Sequence, residues 1–381
     1  MKIKYRVFNW MFYLFRLFPI NSRKIVVDNF SGKGFGDHCK YIVNSLVEKA
    51  EDKDLDIVWI CDKKNEEFPA NVRCVKTDSL LSFYELATAK VWIDNLRKPE
   101  YVRKRKGQFY VMTWHGGIAL KKIEKDVENS LPRSYIRAAK NDSKMADLLI
   151  AGSEWEYNLI RNSFWYDGEI AKCGLPRMDI LYKNDLTLKN EIKRKLGIPV
   201  DTMCVLYAPT FRASLNNMDV SVYNLDWNKV ITALEEKTNS KWTGLMRLHP
   251  NILPVSDKLN LPSTVLNVTS YPDMQELLLA SDCLITDYST TIFEYSVLGK
   301  MAFIFSLDLE EYMKDRDLYF KLTELPYTLS ESNDELVKNI KDFSYQTYKD
   351  NVDDFFKNRC GCYNGGDASS YIADRIIAVL N

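Results

Sequence analysis

The sequence predicts an α/β protein of two stacked domains, each a parallel sheet with crossover helices. Its 381 residues exceed what one ordinary hydrophobic core supports. Short apolar runs rich in valine, isoleucine and aromatics alternate with stretches of helical period along most of the chain. The residues able to do chemistry, histidines above all, fall just beyond the strand-like runs, where open parallel sheets bind ligands.

In the first half, the runs 24–28, 57–61, 91–94, 109–113, 148–151 and 170–173 predict strands. The stretches 37–50, 80–89, 134–145 and 154–164 predict helices between them. A second series of strands is expected at 203–207, 244–248, 265–268, 283–286 and 302–305, with helices at 227–237, 274–280 and 291–298. A charged stretch, 181–199, ends in Gly197-Ile198-Pro199 and separates the two series. The expected domains are therefore 21–185 and 186–360, followed by a terminal segment, 361–381, with a helix at 369–380.

Residues 1–20 stand apart. Lys2, Arg6, Asn9, Tyr13 and Arg16 recur at alternating steps of four and three, which is one stripe of a helix. Ile3, Val7, Trp10, Met11, Leu14, Phe15 and Phe18 cover the remaining surface. A basic, aromatic-rich amphipathic helix suits either a membrane interface or the protein's own body. A membrane span needs about 20 apolar residues, and the uncharged run from Val7 stops at Arg16. Leu17-Phe18-Pro19-Ile20 offers no small-residue cleavage site.

Lysine plus arginine and aspartate plus glutamate both number 52, so the chain lacks the bulk positive field of a nucleic-acid binder. An anionic substrate must be held by a local site. The eight cysteines are scattered without C-x-x-C or His-Cys metal spacing, which predicts reduced thiols and no metal site.

Only three histidines occur, His38, His115 and His249, each beyond an expected strand. His115 lies in Thr113-Trp114-His115-Gly116-Gly117, where two glycines let backbone approach a ligand closely. His249 lies in Arg247-Leu248-His249-Pro250, where Pro250 stops the strand. A lone histidine is commonly a hydrogen-bonded structural residue. Two in equivalent positions, one per domain and both facing one cleft, suggest catalysis. Asp287-Tyr288-Ser289-Thr290 joins an expected strand to a helix, and its hydroxyls and free N–H groups suit phosphate. Thr291 and Glu294 have the spacing of a capping box, which leaves Ser289 and Thr290 for a ligand. Arg212, at the end of Tyr207-Ala208-Pro209-Thr210-Phe211-Arg212, joins Arg247 and His249 in a donor-rich pocket sized for a diphosphate. The loop from Ser31 to Asp37 carries G-x-G-x-G and not a dinucleotide fingerprint, so it is expected to be a flexible first loop facing the cleft, with Asp37 or a neighbour capping the next helix.

From about Ile25 to Phe320 the chain resembles the CDP-glycerol:poly(glycerophosphate) glycerophosphotransferase family, the teichoic acid primases and polymerases. The marks are the runs 36–42, 113–116 with 120–123, 173–179, 207–212, 247–250 and 284–290, in order. The resemblance implies a GT-B-like pair of Rossmann-type domains facing a central cleft, with the last helix packing back on the first domain. It implies acceptor handling in the first domain, on loops carrying Gly34, Gly36, Asp37, His38, Trp114, Gly116 and Gly117. CDP-polyol binding is implied in the second, around Pro209, Thr210, Arg212, Arg247, Asp287, Ser289 and Thr290. Gly117, Thr290 and Met301 depart from the residues usual at those places.

The expected reaction is attack of an acceptor hydroxyl on the phosphorus that bears glycerol, with CMP leaving. His115 is the expected general base. His249, Arg212, Ser289 and Thr290 stabilise the diphosphate, with Asp287 orienting the turn or touching cytidine. No acidic cluster suggests a metal, so no cofactor is expected beyond the substrate CDP-glycerol. The expected setting is the cytoplasmic face of the membrane, with a lipid-linked glycan or polymer as acceptor. The rivals are a CDP-ribitol enzyme, a glycosyltransferase using a nucleotide sugar, and a non-catalytic nucleotide or glycan binder.

Overall fold

A computed structural model describes residues 3–50, 54–62, 68–211, 223–249, 260–315, 317–363 and 365–381. They form two compact units. The first comprises Met1–Gly117, Ile123–Asp179 and Cys362–Asn381, and the second Ile118–Lys122 and Ile180–Gly361.

The first unit holds strands β1 (Asn21–Asp28), β2 (Asp56–Ile60), β3 (Val72–Val75), β4 (Ala89–Asp94), β5 (Phe109–Met112), β6 (Leu148–Ala151) and β7 (Glu169–Lys172). They make one parallel sheet of seven strands in the order β3-β2-β1-β4-β5-β6-β7. Parallel strands are covered by helices on both faces, so they need side chains that are apolar throughout and stiff at the β-carbon. Ile25, Val26 and Val27 of β1 meet that need and are fully buried. The second unit repeats the plan with β8 (Met203–Tyr207), β9 (Trp242–Met246), β10 (Val265–Asn267), β11 (Cys283–Thr286), β12 (Met301–Phe305) and β13 (Thr328–Ser330). Its parallel order is β10-β9-β8-β11-β12-β13. Both sheets therefore have the doubly wound Rossmann order, which reverses direction beside the first strand. The short edge strands β3 and β13 were not foreseen, because three or four residues are too few for a period to show.

The N-terminal helix, Ile3–Phe15, packs on the first unit. The Phe8 ring meets Phe83 and Tyr101, Phe12 meets Trp92, and Phe15 meets Tyr84. Phe12 is fully buried. Asn9, expected on a polar stripe, is half-buried, and Val7, Trp10, Leu14 and Leu17 hold the exposed side. No helix among the described residues is long and apolar enough to cross a membrane. All eight cysteines are free.

At the other end of the chain, helix Ala368–Leu380 lies against helix Asp37–Lys49, burying Ile372, Ala373 and Ile376 in the core of the first unit. The carboxylate that caps it is remote in sequence. Asp179 accepts from Ala368 N at 3.0 Å, from Ser369 N at 2.8 Å and from the Ser369 hydroxyl, while the local Asp367 makes no side-chain cap. Asp179 is 3% exposed, so its loss strands buried donors that no water reaches. Asp179→Ala is expected to cost about 1–3 kcal/mol in denaturant unfolding, and Asp179→Asn less.

Candidate active site

In the first unit the site grows from the point where the strand order reverses, between β1 and β4. Asn29 leaves β1 and Asn95 leaves β4. The Asn95 amide donates to Asn29 Oδ1 at 2.7 Å, and Asn95 Oδ1 accepts from Phe30 N at 2.8 Å. With both side-chain groups engaged and no exposed surface, Asn95 is immobile. Its backbone carbonyl lies 2.9 Å from Nδ1 of His115. A carbonyl only accepts, so Nδ1 carries the proton and the Nε2 lone pair is left to act as a base. Burial lowers the pKa of His115 below its ordinary 6.5, against the opposing pull of the Asn95 carbonyl, so the ring is neutral at pH 7.

The turn that delivers His115 is strained. Trp114 has φ +58°, a left-handed conformation that costs a bulky residue about 1–3 kcal/mol. Aromatic packing holds it there, with the Arg97 guanidinium 5.5 Å above the indole and Phe164 edge-on at 4.9 Å. The Trp114 and His115 rings are 4.2 Å apart, and Phe30 flanks the imidazole at 5.6 Å. At Gly117 a β-carbon would come within 2.7 Å of Leu175, so the room there is filled by packing rather than left for a ligand.

A second anchor reaches His115 from the loop after β7. Arg177 donates through Nη1 to the His115 carbonyl at 2.9 Å and to Asp37 Oδ2 at 2.8 Å, and its backbone N–H donates to Nδ1 of His38 at 3.3 Å. His38 has no exposed surface, and burial lowers its pKa to about 3 although Asp37 pulls the other way. It is a neutral strut for the Arg177 backbone. Burial pushes the Asp37 carboxyl up, but the Arg177 charge and then His38 bring it below 3.8. Asp37 itself has φ +54° and accepts from His38 N at 2.6 Å, while Gly36 at the helix cap contributes no side chain. Gly34, with φ +94°, lets the loop turn so that its carbonyl meets the Asn29 amide at 3.1 Å.

In the second unit the strand order reverses between β8 and β11, and again a side chain bridges the gap. Asp287 leaves β11 and accepts from Thr210 N at 2.8 Å and Thr210 Oγ1 at 2.8 Å, and from Tyr288 N at 2.6 Å. Pro209 precedes this clamp, where the Ala208 carbonyl takes the Thr286 hydroxyl at 2.7 Å. Ser289 Oγ accepts from Thr291 N at 3.2 Å. The capping box expected from Thr291 and Glu294 does not form, because Glu294 is buried and binds the Gln275 amide at 2.7 Å. Ser289 therefore caps, and Thr290 stands half-buried at the turn without a side-chain cap. Arg247 leaves β9 and gives Nη1 to the Tyr271 carbonyl. Burial lowers its pKa to about 10, opposed by Asp273 and Tyr271, so it stays cationic. His249 is exposed, its ring 5.5 Å from Phe211. Arg212 lies outside the described residues.

The structure thus gathers His115, Trp114, Asp37 and His38 in the first unit and Thr210, Asp287 and Ser289 in the second. Asn95 and Arg177 were not foreseen as site residues. Asn95 sits directly after a strand at the reversal point, and that position was the signal available. Arg177 acts through contacts 140 and 62 residues away, which no local pattern announces.

The depressed His38 pKa has a consequence for stability. Between pH 6.5 and about 3 the unfolded chain binds the proton that native His38 refuses. The contribution of neutral His38 is complete above pH 6.5 and is lost as pH falls through that window. The difference in unfolding free energy between the protein and His38→Asn should therefore shrink on acidification, and a difference constant from pH 7 to pH 4 would refute the strut.

A family model described as CDP-Glycerol:Poly(glycerophosphate) glycerophosphotransferase matches residues 10–378. The chain is 28% identical over 389 residues to a teichoic acid poly(glycerol phosphate) polymerase of Bacillus spizizenii, covering 98% of this chain and 96% of that protein. It is 30% identical over 370 residues to the enzyme of the same name from Staphylococcus epidermidis, covering 94% of this chain. There it spans about half of the relative's length, 51%. Among solved structures, a histidine-to-alanine variant of the wall teichoic acid polymerase TagF superposes with TM-score 0.84 at 28% identity, covering 98% of this chain and 94% of that chain. A histidine-to-asparagine variant of TagF soaked with CDPG gives TM-score 0.83. With a match along nearly its whole length and the double Rossmann plan, the chain belongs to the CDP-glycerol:poly(glycerophosphate) glycerophosphotransferase family.

Proposed function

We propose that this protein transfers glycerol phosphate from CDP-glycerol to a hydroxyl of a cell-envelope glycan or teichoic polymer, releasing CMP. The observation that carries the reading is the imidazole of His115, held by the Asn95 carbonyl with Nε2 as its basic nitrogen. The acceptor oxygen forms a bond to the phosphorus bearing glycerol, and its proton passes to Nε2 of His115. The anhydride P–O bond breaks and its electron pair leaves with CMP. His249, Arg212 and the hydroxyls of Ser289 and Thr290 steady the charge that gathers on the diphosphate. Asp287 is a positioning residue that presents Thr210, and Arg247 one that holds the exit of β9 through the Tyr271 carbonyl. The reaction runs without a metal.

CMP release from CDP-glycerol in the presence of acceptor should exceed release from CDP-ribitol or UMP and UDP release from UDP-sugars. His115→Ala and His249→Ala should each lower turnover by roughly 10²-fold or more. Near-normal release by either variant would remove that residue from the mechanism. The acid limb of kcat/KM should have its midpoint below pH 6.5, since the base works only when neutral and its pKa is depressed. EDTA should leave turnover unchanged.

The same reading places the protein on the cytoplasmic membrane surface, where a lipid-linked acceptor is found. Val7, Trp10, Leu14 and Leu17 follow one another at steps of three and four on the exposed side of the N-terminal segment. A stripe of this kind, with tryptophan and a flanking Arg16, enters the headgroup boundary. Trp10→Glu with Leu14→Glu should abolish sedimentation with phosphatidylglycerol vesicles while CMP release with a soluble acceptor persists.

A further inference from the structure

The chain leaves the first unit just after the candidate base. Only Gly116 and Gly117 separate His115 from Ile118–Lys122, a strap that belongs to the second unit. Ile118, Ala119 and Leu120 are buried. Lys121 makes a short antiparallel bridge with Leu318. On either side of it the Leu120 carbonyl accepts from Tyr319 N at 2.8 Å, and Lys122 N donates to the Asp317 carbonyl at 2.9 Å. Backbone pairing of this kind accepts almost any side chain, so the lysine at 121 needs a separate reason.

That reason lies behind the donor turn. Tyr288 follows Asp287 and is 1% exposed, its hydroxyl bonded to Ser306 and, at 3.0 Å, to Asp308. The Tyr312 ring, from helix Leu309–Asp315, stacks on it with centroids 3.5 Å apart and planes 6° from parallel. So close a separation leaves almost no offset, and the negative faces of the two rings oppose each other, which aromatic pairs avoid. Lys121 Nζ lies 5.2 Å from the Tyr312 centroid. Tyr288 covers one face, so the ammonium takes the other, where its charge draws on the π-cloud and relieves the repulsion between the rings. One run of contacts inside the second unit thus leads from Lys121 through Tyr312 and Tyr288 to the Asp287 carboxylate, which accepts Tyr288 N and presents Thr210.

We propose that Lys121 is a positioning residue for the transfer. Its ammonium locks the strap onto the stack behind the donor turn, so the peptide leaving His115 is tied to the part of the protein that holds the donor. The inference rests on the transferase reading and adds to it a residue that acts through the base without touching substrate. The Asn95 carbonyl sets the tautomer of His115, and the strap fixes where the loop that carries it ends. Anchored at both ends, the imidazole keeps its place as the acceptor hydroxyl gives up its proton.

The test uses the whole protein carrying isotope-labelled histidine. With only three histidines in the chain, the Cε1–H signal of His115 is identified by its loss in His115→Ala. Lys121→Gln removes the charge, and Lys121→Arg keeps a cation able to sit on a ring. Lys121 is half-buried, so both variants should fold, which circular dichroism checks. Without substrate, Lys121→Gln and Tyr312→Leu should shift the His115 signal, and Lys121→Arg should leave it in place. With CDP-glycerol and acceptor, Lys121→Gln should lower kcat by about fivefold or more while KM for CDP-glycerol changes by less than about twofold. Lys121→Arg should recover most of that loss, and Lys121→Gln combined with Tyr312→Leu should fall no further than either alone. An unmoved His115 signal, additive losses, or a rise in KM at unchanged kcat, which would make Lys121 a donor ligand, would each overturn the proposal. A His115 signal that responds to Lys121→Gln in a protein releasing no CMP would refute the transferase reading alone. CMP release by the parent with an unmoved signal would refute the positioning role alone.

Discussion

The hydrogen bond between the Asn95 carbonyl and Nδ1 of His115 is the contact on which the chemistry of the first unit depends. It assigns the tautomer, because a carbonyl oxygen has no proton to give, and so leaves Nε2 as the basic nitrogen. An isolated imidazole in a loop would rotate and exchange tautomers freely. Here Asn95 is itself pinned to Asn29 and Phe30 of the neighbouring strand exit, so the orientation is inherited from the sheet.

Everything around that bond either holds the ring or removes its alternatives. Trp114 adopts a left-handed backbone conformation that a bulky residue avoids, and the cost is offset by the Arg97 and Phe164 packing on its indole. Arg177 grips the His115 carbonyl from the loop after β7 and is in turn held by Asp37 and His38. His38 is chemically similar to His115 but plays an opposite part. Complete burial makes its protonation so costly that it serves only as an acceptor for a backbone N–H.

The two units solve the same topological problem in the same way. Each sheet reverses its strand order beside its first strand, which opens a gap between two strand exits. Asn29 with Asn95 closes the gap in one, and Thr210 with Asp287 in the other. A short polar side chain suits this place because both strand exits present unpaired backbone groups within its reach.

The alternation of apolar runs and helical stretches, the division into two α/β units and the placing of His115, His249 and Asp287 just past strands were all legible in the sequence. Each rests on local pattern, which parallel sheets impose strictly because both of their faces are buried. The sequence alone also carried the family through six ordered motifs. It did not show that Glu294 binds Gln275 instead of capping its own helix, or that Asp179 caps a helix 189 residues later. Nor did it show that Gly117 makes room for Leu175 and not for a ligand. Those outcomes depend on which side chains meet across elements, and a carboxylate takes whichever donors burial leaves it. The sequence thus determined where polar residues leave the strands, and tertiary structure decided which of them act on a substrate and which only hold a neighbour, because burial and partner choice exist only once the chain is folded.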